Sequence, residues 1–466
     1  MTDFPPIKAK AVAAVLWFKN KKEKTEEILM IKRHPWMRIF PGYSAFPGGK
    51  VEPEEVPLEA LKREIQEELG VDWNVSKAQY HGVATTPKTN PYRYQTHYYS
   101  LECDEDQKIL VEKNLKNWQQ HPEFAYFEWN TAENFLQQFQ RGHLLMVPLV
   151  RFFLLEVAHK GMVQAQMIDA DTEMLERLYH PLEMQSGIVQ LFIPSKTLPP
   201  QKFTNCLLIN ASTEKLSQNW QHVLMVDPSP KDFDEWQKMM KVFDDLKIRP
   251  EKILCTHHHI DHCSYLHLTA EHFRVPILMH PKTWDLGQSK NPEIWDKILP
   301  FVQRVEHGDK VGFWNDHKLI IHHVPGHAAG QIALTTEERD FFVAGDLFQS
   351  EGSVVIGGRG SSMKEYMDSL HKVIQYQPKV LYPSHGIPLG SLQPLLKIMK
   401  HRLQRHEEVA RLRSKNRHID EITSILYNDI SQNLLKFARE NVEAHVNWLN
   451  DESLEAVKQK FSVYLD

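Results

Sequence analysis

Residues 49–71 read GKVEPEEVPLEALKREIQEELGV. Pro57 suits the first position of a helix and Gly70 its end, so the spacing predicts a helix over 57–69. On that helix Leu58, Leu61, Ile65 and Leu69 share one side and can anchor it to a core. Glu64, Glu67 and Glu68 stand at i, i+3 and i+4, so their carboxylates share one face. Clustered carboxylates repel one another. A hard divalent cation such as Mg²⁺ relieves that repulsion through oxygen ligands and keeps some coordination for substrate phosphates. Arg63 can hold the outer glutamates through bidentate contacts. A solvated acidic face would account for three glutamates alone, but not for the whole pattern. Gly49 is followed by five residues, Glu55, seven residues and then Arg63-Glu64-Ile65-Gln66-Glu67-Glu68-Leu69-Gly70-Val71.

That pattern resembles the Nudix box with every position filled. The resemblance implies an α/β/α sandwich over residues 8–160 that hydrolyses a nucleoside diphosphate linked to another group, with Mg²⁺ or Mn²⁺ as cofactor. It implies Glu67 and Glu68 as metal ligands, joined by the Gly48 carbonyl. Glu64 then holds a further ion or acts as base toward water, with Arg63 in the catalytic set. Glu123, in HPEFAYFEW, would be an extra ligand from a later loop. Upstream, Leu29–Gly49 reads LMIKRHPWMRIFPGYSAFPGG. Its Arg33, Arg38, Gly42 and Phe46-Pro47-Gly48-Gly49 resemble the extended motif of coenzyme A diphosphatases. Two arginines beside a phosphate-cleaving site suit a substrate with several phosphates. The alternative is that Arg33 and Arg38 are surface charges on a loop.

Working outward, the flanking runs AVAAVLWF and EEILMIK read as strands, and a later helix opens at Pro148. Residues 161–185 read as a linker, and the pattern changes over 186–390. There strands (IVQLFIP, NCLLIN, HVLMVD, KILCT) alternate with a helix near 231–247, and PILMH, LIIHHV, IALTT, FFVAG and VLYPS continue the α/β rhythm. The strand KILCT runs into Thr256-His257-His258-His259-Ile260-Asp261-His262. One histidine is more often structural than a ligand, but this density is hard to explain without a metal. His327 ends VPGH, Asp346 follows FFVAG and His385 follows VLYPS, each at a strand tip where sites are usually built.

Together these residues resemble the glyoxalase II and small endoribonuclease branch of the metallo-β-lactamase superfamily, an αββα sandwich. The resemblance implies that His257, His259 and His327 bind one metal and Asp261, His262 and His385 the other, with Asp346 bridging. Histidine-rich coordination favours two Zn²⁺, or Mn or Fe in their place. A shared water would then become the nucleophile, with Asp261 in the catalytic set. His258 is the variable position of the motif. His280, His307, His322 and His323 read as structural or surface residues.

Residues 391–466 read as helices, over 391–414, 418–429 and 434–450. With the preceding EGSVVIGGRGSSMKEYMDSLHKVI they resemble the winged-helix-like appendage of some relatives. A winged helix suggests nucleic acid, but residues 436–450 balance Lys436 and Arg439 with Glu440 and Glu443. The appendage therefore reads as a wall of the substrate site or a dimer contact rather than a nucleic-acid surface.

Composition sets the outer bounds. The chain has 466 residues, 42% hydrophobic and 25% charged, with a net charge of −5 and 26 histidines. That balance gives no general attraction to nucleic acid or to an anionic membrane. Four cysteines without paired spacing (Cys103, Cys206, Cys255 and Cys263) suggest a reducing compartment. The apolar run near the N-terminus is too short to span a bilayer, so the expected location is cytoplasmic. The expected function is a bifunctional hydrolase acting on small phosphorylated molecules. One half would cleave a pyrophosphate, in coenzyme A or an acyl-CoA, and the other an ester or thioester. The alternative is an RNA- or nucleotide-processing enzyme.

Overall fold

The computed structural model describes residues 7, 9–86, 93–117, 123–167, 181–212, 220–350 and 352–465. The expected linker therefore lies in part, over 168–180, outside the described residues. The chain divides into two compact units, residues 1–192 with 212–216, and residues 193–211 with 217–466.

In the first unit six strands form one sheet: β1 (Ala9–Asn20), β2 (Thr25–Arg33), β3 (Ser44–Ala45), β4 (Gln79–Thr85), β5 (Tyr94–Cys103) and β6 (Phe124–Thr131). Their order is β3-β2-β1-β5-β4, with β6 also paired to β2. β1 runs parallel to β5 and antiparallel to β2. The run Val12–Trp17 is buried throughout because both faces of β1 are covered. Val12, Ala14 and Leu16 meet Ala60, Leu61, Ile65 and Leu69 of the helix Pro57–Leu69. Ala13, Val15 and Trp17 meet Phe135, Phe139, Phe153 and Leu154 of the helices Ala132–Gln140 and Pro148–Lys160. The result is an α/β/α sandwich. Full burial of each large aliphatic side chain contributes about 1.5–3 kcal/mol, so the apolar stripe of helix 57–69 fixes its acidic stripe relative to β1.

The hairpin β7 (Leu182–Gln185) and β8 (Ile188–Pro194) carries this first unit on to residue 192. The Met146 N–H donates to the Met184 carbonyl at 2.9 Å. The buried Arg151 pairs with the buried Glu183 at 3.1 Å. These long-range contacts carry the packing past position 186, where the sequence pattern changes.

In the second unit β9 (Phe203–Ile209), β10 (Gln221–Val226), β11 (Ile248–Leu254), β12 (Ile277–Met279) and β13 (Val302–Arg304) lie side by side in the order β13-β12-β11-β10-β9. β10 to β13 run parallel, and β9 pairs antiparallel with β10. A second sheet has the order β14 (Lys310–Trp314), β15 (His317–His323), β16 (Ile332–Thr336), β17 (Phe342–Val343) and β18 (Leu381–Tyr382). Helices flank the sheets, among them Phe233–Asp245, Leu266–Phe273 and Met363–Tyr376. The two sheets are tied where the chain leaves β11, since the Ile332 N–H donates to the Thr256 carbonyl at 3.0 Å.

Beyond Ser391 the described residues are helical: Gln393–Arg413, Ile419–Leu426, Leu435–Asp451 and Leu454–Lys460. Val409, Leu412, Ile422, Val442 and Val446 form their shared core. No strand completes a wing there among the described residues. All four cysteines are free and buried. No described helix is long and apolar enough to cross a membrane.

Candidate metal centres

The first centre forms where the acidic stripe of helix 57–69 meets the loop before it. Gly48 has φ +138°, and a Cβ there would lie 2.2 Å from the Val12 carbonyl oxygen. A Cβ on Gly49 would lie 2.3 Å from Glu64 Oε1. Glycine is thus what lets this loop lie flat between β1 and the glutamates. The Gly48 N–H donates to Glu68 Oε2 at 2.7 Å. Arg63 ties the acidic stripe together: it donates to both oxygens of Glu55 at 3.0 Å, to Glu64 at 2.8 Å and to Glu67 at 3.1 Å. Glu64 and Glu68 are buried, whereas Glu67 is exposed. Among the described residues no three of these glutamates bring ligand atoms within 4.8 Å of one another.

Burial pushes the Glu68 carboxyl well above the usual carboxylate range; Gly48 opposes this, while Glu123 and Glu64 add to it. Glu64 is raised too, again by burial first. Glu123, from the loop before β6, is therefore a neighbour of the Glu68 carboxylate. Arg33 faces the same pair: burial lowers its guanidinium, and the charges of Glu68 and Glu123 counter that. Glu68 Oε1 is buried and has no hydrogen-bond partner. Buried like charges and an orphaned carboxylate oxygen are costly by themselves and fit an oxygen-liganded divalent cation such as Mg²⁺ or Mn²⁺. A cavity of about 310 Å³ opens beside them, lined by Arg33, Phe46, Gly48, Gly49, Thr86 and Tyr98 among others. Arg38 is exposed and outside that lining.

The second centre is assembled at strand ends. The chain leaving β11 carries His257, His259, Asp261 and His262; His327 follows β15, Asp346 follows β17 and His385 follows β18. All seven side chains converge, in the groups His257-His259-His327, His257-His262-Asp346 and Asp261-His262-His385. His259 Nδ1 lies 3.1 Å from His257 Nε2 and 2.8 Å from His327 Nε2. Asp346 Oδ2 lies 4.0 Å from His257 Nε2 and 3.5 Å from His327 Nε2. Its other oxygen, Oδ1, lies 3.5 Å from His262 Nε2 and 3.4 Å from His385 Nε2. Ligands about 2.1 Å from one tetrahedral ion stand about 3.4 Å apart, so these spacings suit two ions with Asp346 between them.

The outer contacts fix which ring nitrogen faces inward. His327 Nδ1 meets the Val355 carbonyl at 2.8 Å, and His385 Nδ1 meets the Phe203 carbonyl at 2.8 Å. His262 Nδ1 meets Asp227 Oδ2 at 2.8 Å. Thr256 donates to the same carboxylate through its N–H at 2.8 Å and its hydroxyl at 2.7 Å. A carbonyl or carboxylate accepts a proton at Nδ1 and leaves the Nε2 lone pair for metal. Burial and the neighbouring histidines hold His257 and His259 well below the usual imidazole range. Burial would lower His262 as well, but Asp261, Asp346 and Asp227 outweigh it and raise it well above that range. His262 Nε2 and Asp346 Oδ1 are buried without hydrogen-bond partners. The neutral His257 and His259 imidazoles, a shared carboxylate and orphaned inward atoms fit Zn²⁺ or a similar transition metal.

Sequence reading left out Asp227, whose only signal is a carboxylate at the end of HVLMVD. The histidines set aside do lie apart from the centre: His280 stacks on His323 at 4.3 Å, and His307 meets His322 edge-on at 5.0 Å. His258 belongs to none of the three converging groups, and its Nε2 accepts from Lys290 Nζ at 2.8 Å. A cavity of about 640 Å³ lies over the centre. His259, Asp261, His327, Asp346 and His385 form its floor, and Tyr427, Leu434, Phe437 and Asn441 of the C-terminal helices form one wall.

Residues 8–150 match the family model for the NUDIX domain, and residues 203–385 match that for the metallo-beta-lactamase superfamily. The beta-lactamase-like protein 2 homolog of Drosophila melanogaster is 22% identical over 301 residues, covering 60% of this chain and 95% of that protein. A hydroxyacylglutathione hydrolase of Nitrosomonas europaea is 27% identical over 177 residues, 38% of this chain and 59% of that protein. An 8-oxo-dGTP diphosphatase of Proteus vulgaris is 46% identical over 44 residues, 9% of this chain and 39% of that protein. Two families, each matched over the unit that holds its centre, make the chain a metal-dependent hydrolase that joins a NUDIX domain to a domain of the metallo-beta-lactamase superfamily.

Proposed function

We propose that the NUDIX half cleaves the pyrophosphate of a nucleoside diphosphate derivative, coenzyme A or an acyl-CoA, and that the other half hydrolyses a thioester. The observation that carries the second activity is Asp346, each of whose oxygens faces two histidines. Two metal ions there would supply a deprotonated water and polarise the carbonyl it attacks. The protein holds His262 and His385 by their Nδ1 atoms. Asp261, with Oδ2 at 3.7 Å from His262 Nε2 and 3.6 Å from His385 Nε2, takes the proton the water gives up before attack and returns it to the thiolate that leaves as the carbon–sulfur bond breaks. The apolar wall from the C-terminal helices shields an acyl group, and the likeness to a hydroxyacylglutathione hydrolase favours a thioester.

In the NUDIX half Mg²⁺ or Mn²⁺ would neutralise the phosphates. Glu64 takes the proton of the attacking water, and Arg63 orients Glu64 through its 2.8 Å contact. Arg33 receives the phosphate, since it lines the cavity and Arg38 does not. The coenzyme A reading rests on the motif around Arg33 and Phe46-Pro47-Gly48-Gly49. The likeness to an 8-oxo-dGTP diphosphatase over the box supports diphosphate chemistry. An acyl-CoA contains both scissile bonds. Arg439, one of two exposed cations on helix 435–451, is paired with Asp420 and Glu443, which favours a small substrate over RNA.

The test is metal analysis combined with a substrate screen of the full chain. Wild type should release 3',5'-ADP and 4'-phosphopantetheine from coenzyme A with Mg²⁺ present, and Glu67→Gln should not. His259→Ala should lose thioester hydrolysis and keep the first activity. No coenzyme A cleavage by wild type would refute that substrate, and RNA cleavage without thioester turnover would refute the thioesterase assignment.

A further inference from the structure

The loop Gly357-Gly358-Arg359-Gly360 is squeezed between two helices. A Cβ on Gly357 would lie 2.3 Å from Glu440 Cβ, on helix 435–451. A Cβ on Gly360 would lie 2.8 Å from Leu286 Cδ1, on the helix Pro281–Lys290. At Gly357 only glycine allows so close an approach. The squeeze sets Arg359 beside the end of helix 281–290, where its Nη1 donates to Ser289 Oγ at 3.0 Å. The next residue, Lys290, donates to His258 Nε2 at 2.8 Å. An ammonium can only donate, so His258 serves as a neutral acceptor that anchors Lys290 next to the ligand His259.

Both cations therefore bond to neutral groups, and both line the cavity over the paired-metal centre. Lys196 lines it too, against one carboxylate outside the ligand set, Glu440. The rim is thus net positive among the described residues, above a floor that already suits a carbonyl. We infer that Lys290 and Arg359 form a clamp for an anionic group, a carboxylate or phosphate, on the thiol arm of the thioester, with His258 anchoring Lys290. The inference rests on the thioesterase reading for its substrate class, but the clamp itself can be tested separately. The clamp is solvent-exposed, so its effect falls on capture and is weakened by salt.

The test uses the full, metal-loaded chain and three thioesters that share one acyl group. Their thiol arms end in an amide, a carboxylate or a phosphate. The anionic substrates should exceed the neutral one in kcat/KM by about tenfold, mainly through KM. That advantage should shrink between about 50 mM and about 500 mM salt. In the double variant Lys290→Met/Arg359→Met the anionic-to-neutral ratio should fall about tenfold. The anion with the larger advantage identifies the natural group. His258→Gln, which keeps an acceptor, should retain more of the ratio than His258→Leu. Equal turnover of all three substrates, or an unaltered ratio in the double variant, overturns the clamp and leaves the thioesterase assignment standing. If none is turned over, that assignment fails and the clamp is judged by titration with the phosphate-ended thioether. Binding that weakens in the double variant supports the clamp, and absent or unchanged binding overturns it.

Discussion

Replacing Asp227 with Asn isolates one outer contact of the paired-metal centre at nearly constant volume. Asp227 Oδ1 accepts the Thr256 N–H, while Oδ2 accepts both the Thr256 hydroxyl and His262 Nδ1. An amide cannot satisfy this set. With its oxygen toward His262, its NH₂ confronts the Thr256 N–H and leaves a buried donor unpaired, at about 1–3 kcal/mol. With its oxygen toward Thr256, its NH₂ points at His262 Nδ1, which must then accept, so the ring proton moves to Nε2 and blocks the metal. Loss of such outer partners weakens metal binding about 10–100-fold, or about 1.4–2.8 kcal/mol. The loss should fall on the ion held by His262 and leave the His257-His259-His327 ion nearly intact. Competition against a chromophoric zinc chelator should therefore resolve two steps in Asp227→Asn, only one of them weakened. Two steps that both stay within about twofold of wild type would refute the argument that Asp227 sets the His262 tautomer.

Gly49→Ala puts a methyl 2.3 Å from Glu64 Oε1, and diphosphatase kcat should drop at least about tenfold while thioester hydrolysis continues. Glu68→Gln should flatten a pH dependence in the metal-free protein. A carboxyl held above its ordinary value of 4.5 keeps its proton in the folded state longer than in the unfolded one. Stability is therefore lost as pH rises from about 4.5 toward the raised value, and thermal melts across that window should show the slope in wild type but not in the variant. Asn441→Ala removes the acceptor of the Ile356 N–H at 3.0 Å and of Arg402 at 3.2 Å. It should cost about 2–3 kcal/mol in chemical denaturation and lower thioesterase kcat/KM.

What the sequence reveals follows from how local each cause is. Helix 57–69 is legible to the residue because Pro57, Gly70 and the apolar spacing act within the helix itself. The ligands after β11 are legible because they crowd into one turn, and those after β17 and β18 because each strand ends abruptly in Asp or His. Asp227 gives no such signal, since an Asp before Pro228 is also an ordinary way to leave a strand. The difference between Arg33 and Arg38 is not local either. A register shift between Lys32 and Arg33, where β2 pairs with β6, accompanies the placement of Arg33 near Glu68 and Glu123. Glu123 becomes a neighbour of Glu68 through the His34 N–H, which donates to the Glu123 carbonyl at 2.7 Å. No composition rule places that loop. The hairpin over 182–192 is held by Met146 and Arg151, more than thirty residues earlier in the chain.

The C-terminal helices show the same dependence at the other centre, and there it bears on function. Arg402, buried on helix 393–413, donates to the Val354 carbonyl and to Asn441 Oδ1. Asn441, on helix 435–451, in turn accepts the Ile356 N–H. The backbone on both sides of Val355 is thereby fixed from the appendage, and the Val355 carbonyl is the partner of His327 Nδ1. His327, a proposed metal ligand, reaches both His259 and Asp346. Helices that supply no ligand thus control the orientation of one, besides forming a wall of the cavity. A surface built only to bind a partner would gain nothing from a buried arginine reaching to the rear of a metal ligand. That linkage favours the appendage as a working part of the hydrolytic site over an attached binding module.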